Sequence, residues 1–111
     1  DLFMGIGGGP EGVLAASALD TYECHFQGRF IFDNDKDIET ATSMGIKDLN
    51  KKYELSEIVK GDSIFCATGI TSSDVMNGIN HDQDKFISET LVTHKNTNFK
   101  KLIKNVNSIN E

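Results

Sequence analysis

The apolar positions at the start of the chain predict a strand, a glycine turn and a helix in immediate succession. Residues 2–6 form a short apolar run that reads as a buried strand, and residues 7–10 form the turn after it. Residues 11–19 are apolar on nearly every side, which is typical of a helix packed between a sheet and its neighbours. The small alanines of this segment favour close packing of the helix on the sheet.

Two further helices are predicted in the middle of the chain. Residues 37–44 follow a turn and N-cap cluster, and Gly45 supplies their C-terminal cap. Residues 55–59 predict one or two helical turns, with Ser56 as the candidate N-cap. The preceding residues 49–54 are polar and predict an irregular segment.

Four extended segments accompany these helices. Residues 22–32 carry three phenylalanines at even spacing, with a predicted bulge at the glycine between them. Residues 62–68 contain a compact apolar run, typical of a strand covered on both faces. Residues 86–94 alternate in part and predict a strand, whereas residues 99–106 fit either a strand that pairs back or a terminal helix.

Short polar segments separate the later elements. Ser72 or Ser73 caps a predicted short helix that ends at Gly78. Residues 80–84 predict a loop, and we expect the tail, residues 107–111, to be loose.

The order of these elements predicts an α/β fold, a layered mixed sheet with helices, in a single domain spanning residues 1–111. If the strand at 62–68 runs parallel to the strand at 2–6, the glycine turns that follow them meet at one sheet edge. Open α/β sheets bind ligands at that edge. Because the first residues already read as a strand, we also expect the chain to be part of a longer protein.

Charge and cysteine content narrow the functional classes. The net charge of −6 argues against a nucleic-acid-binding surface and against attraction to anionic lipid. A phosphorylated substrate stays compatible with it, because a bound divalent cation reverses the local field. No segment approaches the apolar length of a membrane span, and Cys24 and Cys66 make no disulfide framework, which favours a reducing compartment.

The glycine turn holds the strongest candidate chemistry. Its three consecutive glycines permit close approach of the backbone to a ligand, and Pro10 suits the first helical position. Glu11 follows in the first turn, among unpaired N–H groups at the positive end of the helix dipole. Such a site holds an anion, or a carboxylate that in turn holds a metal. The alternative is a tight turn in which Glu11 merely caps the helix.

Standard motifs do not explain this turn. The dinucleotide fingerprint needs glycine at the position of Pro10, and no Lys-Ser or Lys-Thr pair follows as in a P-loop. Residues 33–37 resemble the start of a calcium loop, but Ile38 and Met44 occupy the positions that need glycine and glutamate. The remaining candidates are read as structural: His81 in a solvated loop, His25 and His94 in strands, and Cys66 in the core.

The glycine turn belongs to a longer block that resembles a family signature. Residues 5–16, GIGGGPEGVLAA, resemble the signature of the bacterial class II fructose-1,6-bisphosphatases of the GlpX type. Further blocks follow in the order of that family and at approximately its spacing: residues 27–29, 44–46, 55–61 and 67–71. The resemblance covers most of the chain.

The resemblance implies a fold and a place in a longer enzyme. The family is similar to the sugar phosphatases of the inositol monophosphatase type, with two α/β domains and a divalent-metal site between them. This chain looks like the C-terminal part, so its partner would be an upstream N-terminal domain of the same chain, and we expect a homo-oligomer. By this resemblance Glu11 is a metal ligand and Gly8 contacts the substrate phosphate.

The implied reaction is hydrolysis of the 1-phosphate of fructose 1,6-bisphosphate with Mn²⁺ or Mg²⁺, in gluconeogenesis in the cytoplasm. The isolated fragment is expected to be inactive, since the upstream carboxylate motifs are absent. Two alternatives stay open: a non-catalytic phosphate- or nucleotide-binding module, and a phosphatase for a related substrate such as sedoheptulose 1,7-bisphosphate. One departure from the family pattern is Glu89, which stands where a histidine is common.

Overall fold

The computed structural model describes residues 1–109, in which helices combine with two sheets. The predicted α/β class is confirmed, and every strand pairing in the described residues is antiparallel. The helices are α1 (Gly9–Thr21), α2 (Asp35–Ser43) and α3 (Leu55–Ile58). The strands are β1 (Gln27–Arg29), β2 (Lys52–Glu54), β3 (Ile64–Thr68), β4 (Asn80–Asp82), β5 (Lys85–His94) and β6 (Phe99–Ser108). None of the described helices has the length and apolar character that crossing a membrane requires.

The smaller sheet pairs β1 with β2. Gly28 lies opposite Tyr53 in a continuous register, so the bulge predicted there is absent. The prediction of an irregular segment at 49–54 is wrong in its second half, because β2 occupies it. Tyr53 packs edge-on against Phe30, with ring centroids 5.8 Å apart. A three-residue strand with a single apolar side chain has too little period to be recognised locally.

The two shorter helices form largely where they were predicted. Asn34 caps α2 by accepting a hydrogen bond from the backbone N–H of Asp37, at 2.9 Å. Gly45 ends the helix with φ of +94°, a conformation that glycine adopts without strain. At α3 the prediction of Ser56 as N-cap is wrong. The N-cap is Glu54, whose backbone N–H donates to the Glu57 carboxylate at 2.9 Å.

The larger sheet is built around β5. Strand β6 pairs with β5 along its whole length. Of the two alternatives for residues 99–106, a strand or a terminal helix, the strand is therefore correct. On the other edge of β5, β3 pairs with residues 90–94 and β4 with residues 85–87. The loop prediction at 80–84 is therefore wrong for β4. The prediction of a loose tail is wrong for residues 107–108, which lie in β6. Residues 110–111 lie outside the described residues.

A tight loop joins β3 to β4 where a short helix was predicted. The Ser73 hydroxyl accepts hydrogen bonds from the backbone N–H groups of Val75 and Met76, both at 3.3 Å, but no helix follows. The neck of the loop closes when the Ile79 N–H donates to the Ile70 carbonyl at 3.0 Å. Ser73 therefore caps a turn instead of a helix, because its hydroxyl bonds to nearby backbone N–H groups in a non-helical conformation.

The C-terminal end of α1 is anchored on the larger sheet. The hydroxyls of Thr21 and Thr93 lie 3.3 Å apart, and both residues are almost fully buried. Beside them the Lys95 ammonium lies 2.7 Å from the Asp20 carboxylate. Together with Ala16, which is fully buried, these contacts place the helix against the Thr93 side of the sheet.

Much of the apolar surface is exposed, and two burial predictions fail. Residues 2–6 form no strand, and Phe3 is 92% exposed. Cys66, predicted for the core, is exposed. An apolar strand needs neighbours for its backbone hydrogen bonds and for its side chains, and the described residues supply none for 2–6. The parallel pairing considered between residues 2–6 and 62–68 is therefore absent from the described part of the chain.

Candidate functional site

The candidate site lies where α1 begins. Gly8 is the N-cap residue, with extended backbone angles, and its carbonyl accepts the first intrahelical bond from Gly12 at 3.1 Å. Gly9 is the first helical residue, so Pro10 takes the second position instead of the predicted first, and Glu11 takes the third. The N–H groups of Gly9 and Glu11 belong to the first turn, which has no intrahelical acceptor for them.

The carboxylate of Glu11 folds back over Gly8. A β-carbon built on Gly8 would collide with the Glu11 carboxylate. The two residues therefore share one small region of space, which is open only because position 8 has no side chain. A β-carbon on Gly9 would meet nothing within 4 Å, so the backbone beside the carboxylate is also accessible.

The Glu11 side chain does not act as a simple helix cap. Capping would require a hydrogen bond from a backbone N–H to its carboxylate, and α1 has no side-chain cap bond. Glu11 is exposed, and its carboxylate makes no hydrogen bond or salt bridge within residues 1–109. At the positive end of the helix dipole, this arrangement leaves both carboxylate oxygens available to an external cation.

Glu11 belongs to no metal-binding cluster in the described part of the chain. Within residues 1–109 no group of three or more His, Cys, Asp or Glu side chains is placed to hold a metal ion. His81 instead lies beside the ring of Phe86, with centroids 5.0 Å apart. At the start of α1 the described residues thus offer one exposed carboxylate and an accessible backbone, without a cluster of three metal-ligating side chains.

Comparison with known proteins identifies this block. The chain matches the family model of the bacterial fructose-1,6-bisphosphatases, glpX-encoded, over residues 1–107. The chain belongs to this family. The match includes both Gly8 and Glu11 and extends almost to the end of β6.

Curated relatives bear the name D-fructose 1,6-bisphosphatase class 2/sedoheptulose 1,7-bisphosphatase. The protein of Trichormus variabilis is 38% identical over 89 residues, which are 68% of this chain and 26% of the relative. A Synechococcus relative is 38% identical over 103 residues, covering 80% of this chain and 29% of the relative. A Prochlorococcus marinus relative is 32% identical over 103 residues, covering 80% and 31%. The chain thus spans about a quarter to a third of the length of these relatives.

The glycines of the loop between β3 and β4, Gly69 and Gly78, are needed for close packing of that loop. A β-carbon on Gly78 would lie 2.5 Å from the Ile70 carbonyl oxygen and 2.6 Å from the Thr71 carbonyl carbon. One on Gly69 would lie 2.7 Å from the Asn77 carbonyl oxygen. The two glycines therefore let the two sides of the loop approach each other more closely than any side chain would allow.

Glu89 holds the same loop. Its carboxylate accepts hydrogen bonds from the backbone N–H of Asn77 at 2.8 Å and from the Asn77 side-chain amide at 3.0 Å. Beside it lies an open cavity of about 410 Å³, lined in part by Ser72 and Lys104. Glu89 thus binds Asn77 through both of its carboxylate oxygens and fastens the loop to β5.

A hydrogen-bonded cluster around His94, which the sequence did not reveal, lies at the other end of β5. The His94 Nε2 lies 2.6 Å from the Asp62 carboxylate, and its Nδ1 lies 2.8 Å from the Thr97 hydroxyl. The hydrogen bond with His94, followed by the backbone N–H of Asn96, lowers the pKa of Asp62 below its usual value, against the opposing effect of partial burial. The cluster fastens the β5–β6 turn to the start of β3, so the prediction of His94 as a structural histidine is confirmed. Because Asp62 and His94 lie 32 positions apart, no local pattern signals the contact.

Proposed function

We propose that these residues form the C-terminal part of a metal-dependent sugar-bisphosphate phosphatase. The reaction is hydrolysis of the 1-phosphate of fructose 1,6-bisphosphate to fructose 6-phosphate and phosphate, in gluconeogenesis in the cytoplasm. Membership of the fructose-1,6-bisphosphatase family supports this proposal. The single structural observation behind it is the Glu11 carboxylate held over Gly8 without a protein partner.

The two residues have separate roles in this proposal. Gly8 allows a substrate phosphate to approach the backbone at the start of α1, where the helix dipole favours negative charge. Glu11 supplies one oxygen ligand to Mn²⁺ or Mg²⁺, both of which prefer carboxylate oxygens. When bound, the divalent cation polarises the phosphoryl oxygens and stabilises the charge that develops on the leaving oxygen. Because the Glu11 carboxylate lies over Gly8, a metal ion held by Glu11 would lie beside a phosphate that approaches Gly8.

We further propose that the other metal ligands lie in an upstream N-terminal domain, in an architecture similar to that of the inositol monophosphatases. Two observations support a larger assembly. The surface area is 8743 Å², against about 6,000 Å² for a compact protein of this mass. The radius of gyration is 18.1 Å, against about 13 Å for a compact chain of this length. A homo-oligomer of the complete enzyme belongs to the same proposal.

The first test compares this chain with a family-length protein that contains it. Phosphate release from fructose 1,6-bisphosphate is measured with Mn²⁺ for both. We expect turnover in the longer protein and little or none in the 111-residue chain. Robust turnover by the chain alone would show that no upstream ligand is required.

The second test addresses Glu11 in the longer protein. We expect Glu11→Gln to weaken Mn²⁺ activation and turnover by about tenfold or more, because losing a direct ligand should cost at least as much as losing its support. The matched control is Glu39→Gln on α2, an exposed glutamate of the same type, which should leave both unchanged. Equal kinetics for Glu11→Gln and the control would remove Glu11 from the site.

A second substrate is favoured by the names of the relatives, which join fructose 1,6-bisphosphatase with sedoheptulose 1,7-bisphosphatase. Competition kinetics with both bisphosphates on the longer protein measure the preference. A non-catalytic module, by contrast, would bind phosphate ligands without metal. Calorimetry of the 111-residue chain with and without chelator separates that alternative from the phosphatase.

A further inference from the structure

The larger sheet has two faces with different surroundings. Side chains alternate between faces along a strand, and antiparallel partners share a face. Thr93 points to the face that carries α1, through its bond to Thr21. The neighbouring position Val92 therefore points to the opposite face, with Cys66 as its register partner. We call this opposite face the open face. Its apolar members, assigned by register, are Ile64, Cys66, Phe86, Val92, Phe99 and Ile103.

The open face is apolar yet exposed to solvent. Ile64 is 68% exposed, Phe99 43% and Phe86 42%, and Cys66 is exposed as well. Val92 and Ile103, near the middle of the face, are only half-buried. An exposed apolar patch that spans several strands marks an interaction surface, because monomeric proteins rarely leave one uncovered.

Three of the polar residues of the open face are compatible with burial. The hydroxyls of Thr68 and Thr90 lie 2.8 Å apart and satisfy each other across the strands. Lys101, opposite Val92, lies on β6 and has a long apolar stem that lets its ammonium reach solvent at a rim. The centre of the face can therefore be desolvated, while Lys101 lies on one side strand and the Asp62–His94 pair lies at one end.

We propose that the open face packs against the part of a family-length protein that lies outside these 111 residues. This inference rests on the proposed function, which places the chain in a longer enzyme. The chain spans 26–31% of its relatives, so most of such a protein is available to cover the face. The exposed area exceeds the compact expectation by about 2,700 Å².

Cys66 provides a direct probe of this surface. In the family-length protein, labelling by iodoacetamide is followed at Cys66 by peptide mass spectrometry, and the same is done for the 111-residue chain. We expect labelling in the longer protein to be at least about tenfold slower, because a covered thiol reacts only from transiently open states. Each protein unfolded in urea gives the unprotected rate, which corrects for intrinsic reactivity.

The outcomes separate this inference from the proposed function. If the longer protein hydrolyses fructose 1,6-bisphosphate while Cys66 labels as fast as in the chain, the phosphatase stands and the open face is not the interface. If Cys66 is protected in a longer protein that has no phosphatase activity, the interface stands and the function fails. Protection in the chain alone that rises with its concentration, together with a dimer mass, would overturn the proposal in favour of a second copy.

A charge introduced on the open face gives an independent test. We expect Cys66→Asp to lower the melting temperature of the family-length protein but not that of the 111-residue chain, in which Cys66 is exposed. The control is Asn50→Asp, which adds the same charge at an exposed loop position away from the sheet. An unchanged melting temperature for Cys66→Asp in the longer protein would contradict burial of the open face.

Discussion

The carboxylate of Glu11 lies over Gly8, in the space that a side chain at position 8 would fill. The glycine therefore does more than shape the turn, because its missing side chain determines where the carboxylate rests. Gly8 itself has φ of −68° and ψ of 154°, angles that other residues adopt freely. The need for glycine at this position arises from the space above it and not from its backbone conformation.

Gly8→Ala should therefore displace the Glu11 carboxylate with little effect on folding. We expect the Mn²⁺ concentration for half-maximal activity of the family-length protein to rise by about tenfold, on the order expected when a ligand loses its support. The stability cost should be at most about 1 kcal/mol, the usual loss when alanine replaces a better N-cap. Metal titration of activity and urea denaturation measure the two effects separately.

The control for this variant is Gly12→Ala, four positions later in the same helix. A β-carbon there meets nothing within 4 Å, so the carboxylate is not disturbed. Alanine should instead stabilise α1 by about 0.5–1 kcal/mol, because glycine is a poor helix former. Equal metal dependence in both variants would mean that the Gly8–Glu11 relationship has no part in metal binding.

The elements that were predicted correctly are those with local causes. Asn34 and Gly45 mark the ends of α2 through their own side chain and backbone, so the sequence around them suffices. Strand β4 escaped prediction because it pairs with β5 across residues 83–84, where Gln83 adopts φ of +56°. Turns with positive φ are usually signalled by Asn or Gly, and Gln gives no such signal.

One feature of the candidate site was likewise predictable from the local sequence, and another was not. Its order along the helix, with Gly8 before Glu11, follows from the sequence. The burial of the site does not follow from the sequence. Residues 2–6 were predicted to be buried, but they have no neighbour in the described chain and are exposed. An apolar run predicts that a segment is buried but does not say by what, and no surface among residues 1–109 buries this one.

Thr93 should contribute to stability through its buried hydroxyl. Thr93→Val keeps the shape of the side chain but leaves the buried Thr21 hydroxyl without its partner. We expect a loss of about 1–3 kcal/mol in the free energy of unfolding, the usual cost of a buried unsatisfied polar group. Urea denaturation followed by circular dichroism measures it.

A double-mutant cycle with Thr21→Val isolates the pair. Because the double variant removes both polar groups, it should be more stable than the sum of the single losses predicts. Thr93→Ser, which retains the hydroxyl, serves as the control for bond loss. Strict additivity of the two valine substitutions would show that the hydroxyls, 3.3 Å apart, do not interact.

Gly78→Ala should damage the loop between β3 and β4. The added β-carbon would meet backbone atoms of residues 70–72 at 2.5–2.7 Å, and backbone cannot move aside as a flexible side chain can. We expect a destabilisation of about 1–3 kcal/mol, as for other overpacked sites. Faster hydrogen exchange of the Ile79 amide, which donates across the loop neck, would locate the damage. Gly7→Ala, where a β-carbon meets nothing within 4 Å, is the matched control and should be close to neutral.

The Asp62–His94 contact should make stability depend on pH in the acid range. Its hydrogen bond from His94 lowers the pKa of Asp62 in the folded state. A carboxyl group with a lower folded pKa binds fewer protons when folded, so the stabilisation is complete above the unfolded pKa of about 3.9. It is lost as the pH falls through the lower folded pKa. We therefore expect Asp62→Asn to be less stable than the unmodified protein near neutral pH, with a difference that shrinks below about pH 4.

The measurement is the urea midpoint of both proteins between neutral and strongly acid pH. Asparagine retains an oxygen for the N–H groups of Ser63 and Asn96, so the variant isolates the charged bond to His94. The control is Asp74→Asn, whose carboxylate makes no hydrogen bond or salt bridge within residues 1–109 and whose midpoints should follow those of the unmodified protein. A constant difference between Asp62→Asn and the unmodified protein at every pH would show that the contact contributes through packing and not through the ionised carboxylate.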